Sequence, residues 1–264
     1  MKVRNYMAIL RNLRNIIEAG VDEKHMDKVL RAIADPVAVR KSKQLPFRFL
    51  SAYKSVLRMG GSKVFDVLEA AIDASVDNLP KLPGTTVIAV DTSGSMGSPV
   101  SAKSDIRCCE IGMMLGVIAN RICDNAIFYT FDTNLQKKAI STRNGILYTV
   151  MHEASAGGGT SMELPFLAMI REKVRADRII VISDDQCNGS WFSNPIQSLA
   201  DEYRRKTGND IWVHAIDLQG YGTQQFHGPK TNIIAGWSEK VFDFILLAEQ
   251  GEWTLEKAIE GYRW

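Results

Sequence analysis

Asp91-Thr92-Ser93-Gly94-Ser95 follows directly on the apolar run Thr86-Val87-Ile88-Ala89-Val90. One carboxylate and two hydroxyls therefore stand at alternate positions on the loop leaving a buried strand. Gly157-Gly158-Gly159-Thr160 can bring a third hydroxyl to the same place, and Ile182-Ser183-Asp184 a second carboxylate. Hard oxygen donors with few formal charges suit a Mg²⁺-like ion that keeps waters and an open position. An ion held this way is a docking point for an acidic ligand. Taken alone, Asp-Thr-Ser-Gly-Ser reads equally well as a turn with a helix cap. Three such loops, each after a predicted strand or before a predicted helix, point instead to a divalent-cation site with Asp91, Ser93, Ser95, Thr160 and Asp184 as ligands.

Other chemistries fit these residues less well. Ser93-Gly94-Ser95-Met96-Gly97 falls one glycine short of the Gly-x-Ser-x-Gly nucleophile elbow, and the order Ser95, Asp184, His214 matches that of α/β-hydrolases. That reading leaves Asp91 without a role and puts its histidine in mid-strand, between Val213 and Ala215. A phosphotransferase of the Asp-x-Asp type lacks its second carboxylate, because Ser93 stands there. Gly157–Thr160 lacks the lysine of a phosphate-binding loop. His25, His152, His214 and His227 do not cluster and read as ordinary surface or satisfied histidines. Trp191-Phe192 reads equally as an exposed recognition patch and as an apolar loop tucked under the sheet edge.

The elements that must position these loops can be read from periodicity. In the first eighty residues Ile9, Leu10, Leu13, Ile16 and Ile17 form a helical stripe ended by Gly20, with Arg4, Arg11 and Arg14 on another side. A second helix begins after the cap candidate Asp22 and stops at Asp35-Pro36. Pro46 opens a third, through Phe49, Tyr53 and Leu57, closed by Gly60-Gly61. A fourth covers Phe65, Leu68, Ala71 and Ile72. Pro80, Pro83 and Gly84 then punctuate the chain, and short apolar runs follow at residues 87–90, 127–131, 179–182, 211–216 and 233–234. Between and after them lie helical stretches at 105–123, 145–151, 162–173, 194–205, 240–249 and 255–262. Unbroken apolar strands alternating with helices predict a doubly wound, mostly parallel α/β sheet, with its ligand crevice at the carboxyl ends of the strands. Ile111, Leu115 and Ile118 are expected to face that sheet, with Gly112 and Gly116 permitting close approach.

The 264 residues suffice for one large domain or two small ones. No apolar stretch is long enough to cross a bilayer, and Met1-Lys2-Val3-Arg4-Asn5 lacks the apolar region of a signal peptide. Cys108, Cys109, Cys123 and Cys187 show no metal-ligand spacing and read as reduced, buried thiols, so a cytoplasmic setting is expected. Net charge is only +2 but uneven: residues 1–64 hold 14 Lys/Arg against 5 Asp/Glu, and the remainder 18 against 25. Such a split suggests nucleic-acid contact at the basic end, although most basic helix faces are simply solvated.

The strand–Asp-x-Ser-x-Ser–helix, with a later Gly-Gly-Thr loop and a strand ending in Asp, resembles the metal-ion-dependent adhesion site of von Willebrand factor A domains. The match runs residue by residue over Asp91, Ser93, Ser95, Thr160 and Asp184. The resemblance implies that these side chains hold Mg²⁺ directly or through water, with a ligand carboxylate completing the shell. The segments Met7-Ala8-Ile9-Leu10-Arg11-Asn12-Leu13 and Arg40-Lys41-Ser42-Lys43-Gln44-Leu45-Pro46-Phe47-Arg48-Phe49-Leu50 resemble the last helical repeats of the TROVE module in the Ro autoantigen family, where that module precedes an A domain. In that family a ring of repeats binds Y RNAs and misfolded small RNAs. Only about the last two repeat pairs are present here, so a ring would need either several chains assembled together or further repeats of a longer protein of which this chain is a fragment.

The resulting expectation is a short all-α segment over residues 1–83 followed by a von Willebrand A-type, Rossmann-like domain over 84–264. The function expected is a non-enzymatic, Mg²⁺-dependent binding module. Its metal site docks an acidic protein group, while Arg11, Arg14, Arg40, Lys41, Lys43 and Arg48 contact phosphates of a small RNA. The alternatives are a protein-only adhesion or assembly module, whose basic helices serve packing, and a serine hydrolase using Ser95.

Overall fold

The computed structural model describes residues 6–102, 104–184, 196–220, 228–238 and 240–251. Arg4, Asp185-Gln186, Cys187, Trp191-Phe192, His227 and the helix expected at 255–262 lie outside the described residues. The chain forms two compact units, Met1–Leu79 with Ser141–Glu153, and Pro80–Ile140 with Ala154–Trp264. No helix among the described residues is long and apolar enough to cross a membrane.

The first unit is helical: α1 (Tyr6–Glu18), α2 (Glu23–Ala34), α3 (Pro36–Ser42), α4 (Pro46–Val56) and α5 (Ser62–Val76). Leu10, Leu13, Leu30, Ile33, Phe49, Leu50, Leu68 and Ile72 form its buried interior. The Tyr6 hydroxyl donates to the Ile33 carbonyl at 2.8 Å, tying the start of α1 to the end of α2. Asp22 caps α2 by accepting from the His25 amide at 3.0 Å. Sequence periodicity ends this helix at Asp35-Pro36 and predicts nothing further before Pro46, yet α3 starts at once. Asp35 leaves the helical conformation, as a residue before proline must, and its carboxylate accepts from the Val37 and Ala38 amides. Pro36 supplies a first helical position that needs no amide donor. The pair that stops one helix thus opens the next.

In the second unit β1 (Leu82–Asp91), α6 (Cys108–Ile122), β2 (Cys123–Phe131) and β3 (Leu135–Lys138) come first. The chain then enters the first unit for α7 (Ile146–Glu153), which sequence periodicity groups with the helices of the sheet, and returns. It continues through α8 (Leu164–Arg171), β4 (Arg178–Ser183), α9 (Ile196–Thr207), β5 (Trp212–Asp217), β6 (Thr231–Ala235) and α10 (Lys240–Glu249). The sheet order is β3-β2-β1-β4-β5-β6. All pairings are parallel except β2 with β3. The short polar strand Leu-Gln-Lys-Lys of β3 carries no apolar alternation, which is why periodicity does not find it. Lysine-rich short strands are what sheet edges tolerate.

On one face of the sheet Val87, Ala89, Tyr129, Phe131, Ile179, Val181 and Val213 pack with Phe166, Met169, Leu199 and Tyr203. Helix α6 packs against β1, β2 and β4. Ile111, Leu115 and Ile118 are buried, but the glycines do more than permit approach. A Cβ at Gly116 would stand 2.7 Å from a Val90 methyl and 2.9 Å from the Phe128 ring, so the glycine backbone itself lies against the strands. At the amino end of β4, Arg178 makes a paired salt bridge to Glu249 of α10 at 2.6 and 2.7 Å. His214 shares the same carboxylate at 2.9 Å. Burial pushes the Glu249 carboxyl up, but hydrogen bonds from His214 and Arg178 outweigh it and hold the group below the usual range.

Two substitutions test this packing. Leu115→Ala should cost roughly 2–5 kcal/mol in chemical denaturation. Gly116→Ala should also destabilise, by about 1–3 kcal/mol, although alanine is the better helix former. A gain in stability from Gly116→Ala would mean that a different face of α6 meets the sheet.

Candidate metal centre

The central strand delivers Asp91 to the carboxyl edge of the sheet, where the side chain is fully buried. Beside it, across the parallel pairing Val90↔Ile182, β4 ends in Ser183 and Asp184 follows. Two donors hold the Asp91 carboxylate. The Ser93 amide reaches Oδ1 at 2.7 Å, and the Ser183 hydroxyl reaches Oδ2 at 2.6 Å. The loop is fastened sideways by the Thr92 amide and hydroxyl, which both donate to the Phe131 carbonyl at the end of β2. A single 3₁₀ turn, Gly94–Gly97, then swings Ser95 back over Ser93. The two hydroxyl oxygens are 3.2 Å apart, and Ser95 donates to Asp184 Oδ1 at 3.0 Å.

The loop that carries Thr160 is brought to the first loop through its backbone. The Gly94 amide donates to the Gly158 carbonyl at 3.0 Å, and the Gly157 amide to the Thr92 carbonyl at 2.8 Å, so the glycine loop is stitched to the first loop. Gly158 adopts φ +72°, and a Cβ there would stand 2.6 Å from the Thr133 hydroxyl, so glycine is required on both counts. Thr133 accepts from the Gly159 amide, and the Asp132 carbonyl accepts from Ser161. Thr160 between them is buried.

Burial is the main force on Asp91. It pushes the carboxyl up to about 6, against the hydrogen bonds from Ser183 and Ser93, and the nearby Asp184 charge adds to the rise. Two carboxylates and the hydroxyls of Ser93, Ser95 and Ser183 thus lie in one contact chain, with the Thr160 hydroxyl on the adjoining loop. Among the described residues no group of three or more His, Cys, Asp or Glu gathers as a metal cluster, so any ion held here relies on hydroxyls for part of its shell. The donor set fits a small hard cation. Adjacent ligands of an octahedral ion with bonds of 2.0–2.1 Å are about 2.8–3.0 Å apart, close to the observed oxygen spacings.

The triad of a hydrolase is not assembled. His214 is fully buried in mid-strand, with Nε2 on Glu249 and Nδ1 on Asn232 at 3.1 Å, while Ser95 is hydrogen-bonded to Asp184. Cys108, Cys109 and Cys123 are free thiols. The six basic residues singled out in the sequence all lie in the helical unit and are exposed. Arg14 pairs with Glu18, Arg40 with Asp77, and the Arg48 guanidinium sits 5.0 Å from the Phe47 ring centre. Sequence reasoning missed Ser183 as the partner of Asp91, and Asp132-Thr133 as the support of the glycine loop. For the latter the signal was a polar pair at a strand's carboxyl end, which only pairing with a neighbouring strand makes meaningful.

Residues 4–63 match the profile of the TROVE domain, and residues 85–223, just over half of the chain, match that of the Ro60 vWA domain. The RNA-binding protein RO60 of Deinococcus radiodurans is 25% identical over 226 residues, covering 79% of this chain and 42% of the relative. Its Caenorhabditis elegans counterpart is 26% identical over 238 residues, covering 81% and 35%. The crystal structure of the Deinococcus radiodurans RO (RSR) protein superposes with a TM-score of 0.74 at 21% identity, over 94% of this chain and 53% of that one. The chain therefore spans less than half the length of the curated relatives it matches. With a TROVE segment followed by a Ro60-type von Willebrand A domain in the same order, the chain belongs to the Ro60 family.

Proposed function

We propose that this chain is a non-enzymatic binding module of an RNA-binding Ro-type protein, with a Mg²⁺-dependent site in its A domain that docks an acidic group of a protein partner. The observation that carries the metal reading is the run of oxygens from Ser93 through Ser95 to Asp184, at 3.2 and 3.0 Å, with the Asp91 carboxylate fixed beside it by the Ser93 amide. Asp91, Ser93, Ser95, Thr160 and Asp184 would hold the ion. When bound, the cation supplies positive charge that offsets two buried carboxylates and leaves a position open to an anionic oxygen. The chain's own part is orientation. Ser183 and the Ser93 amide fix Asp91, and the glycine loop fixes Thr160.

The relatives named as RNA-binding proteins support a small RNA as a second partner. Exposed Arg11, Arg14, Arg40, Lys41, Lys43 and Arg48 are the phosphate contacts of this reading. A protein-only A-domain module is favoured by one observation: Arg14 and Arg40 already pair with Glu18 and Asp77. The free thiols agree with a cytoplasmic setting.

The metal has a signature in pH. Since burial raises the Asp91 pKa to about 6 from 3.8, this group's contribution to the metal-free fold is full below pH 3.8 and lost as pH rises through about 6. Mg²⁺ should therefore raise the melting temperature at pH 8, and the effect should fade as protons displace it near pH 6. Asp91→Asn should melt at or above wild type without metal and show no response to Mg²⁺. A wild-type response unchanged at pH 5 sinks the assignment of Asp91.

The RNA reading is tested by salt. Log affinity for single-stranded RNA should fall linearly with log salt, with a slope near −0.7 per phosphate contact. Removing Lys41 and Lys43 together should make the slope shallower by about 1.4 and weaken all RNAs alike. Binding that ignores salt, or fails at every salt, would leave the protein-only module.

A further inference from the structure

Helix α7 packs on α4 and α5 of the helical unit and carries an exposed aromatic pair. The Tyr148 and His152 rings are stacked, with centroids 3.9 Å apart and planes 29° from parallel. Tyr148 is 48% exposed although its backbone is firmly held. The Glu69 carboxylate of α5 accepts from the Leu147 amide at 3.0 Å and the Tyr148 amide at 2.6 Å, capping α7 at its first turn. Gly145 makes this clasp fit, because a Cβ there would overlap the Glu69 carboxylate. His152 is steadied in turn, its Nδ1 lying 3.0 Å from the Tyr148 carbonyl one turn earlier. The buried side of α7, Ile146, Leu147 and Val150, anchors the helix, so the rings stay at the surface without rearrangement.

Stacked, braced and exposed rings are what an unpaired nucleobase requires. Every base has a flat face, and an aromatic surface already fixed in place loses little conformational freedom on binding. Arg48 lies exposed on α4, against which α7 packs, and Arg143 is exposed just before α7. Phosphate contacts and a stacking surface thus share one unit.

We infer that Tyr148, backed by His152, is a stacking site for an unpaired base of single-stranded RNA. This rests on the RNA reading above but assigns a different kind of contact. A phosphate contact changes the salt slope and ignores the base, whereas a stacked base does the reverse.

The test is fluorescence anisotropy of the full 264-residue chain with a labelled single-stranded RNA of about 12 nucleotides, a length within the range of such sites. Tyr148→Ala should weaken binding roughly 5- to 150-fold with an unchanged salt slope, and Tyr148→Phe should bind like wild type. A strand of the same length with abasic positions should erase the difference between wild type and Tyr148→Ala. Melting curves confirm that each variant is folded, and Tyr148→Phe carries the aromatic arm if the alanine variant is not. In that case, weak binding by Tyr148→Phe or equal binding of intact and abasic strands by wild type overturns the site. For a folded alanine variant, wild-type affinity or a loss that persists on the abasic strand overturns it alone. Failure of wild type to bind any RNA overturns both this site and the RNA reading.

Discussion

Asp91 ends the central strand with its carboxylate fully buried, and removing such a group from water costs several kcal/mol unless donors or a cation answer the charge. The carboxyl edge of the sheet is arranged around that requirement. One oxygen is answered by the amide of the loop that follows, and the other by a hydroxyl from the next strand. These bonds do not cancel the cost, since the carboxyl is still pushed up to about 6 with Asp184 close by. In the function proposed above, a cation would answer that charge, because it reverses the sign of the electrostatic argument without altering the packing beneath.

The rest of the second unit can be understood as support for this edge. Parallel pairing brings the ends of β1 and β4 side by side, and the pairing of β1 with β2 gives Thr92 a carbonyl to hold. Gly112 and Gly116 let α6 lie close on the strands just beneath the loops. At the opposite end the charges are treated differently. Arg178, Glu249 and His214 answer one another through short hydrogen bonds, which makes that cluster a fastening for α10. Two buried polar groups in one sheet thus lie at opposite ends: one is satisfied by its ion pairs, and the other is the carboxylate to which the proposed function assigns a cation.

Much of this was legible in the chain. Apolar runs without polar interruption gave the parallel strands, and Asp91 and Asp184 at the carboxyl ends of two of them pointed to the candidate site. What escaped has physical reasons. Helix α3 hides behind a proline that usually signals an ending. Strand β3 is polar because edges are. The membership of α7 is set by a clasp between Glu69 and amides nearly eighty residues away, which no local pattern encodes.

The sequence by itself determined which atoms are available: five oxygen-bearing side chains on three loops, an apolar sheet to mount them, and a basic segment ahead of it. Those are matters of residue type and short-range spacing, which the chain states outright. Only the tertiary structure decided which oxygens meet. Ser95 reaches Asp184, and Ser183 turns to Asp91, because strand order and register put distant segments in hydrogen-bonding reach. It also decided that His214 belongs to Glu249 and not to Ser95, since a partner is chosen by position in space and a sequence lists only candidates.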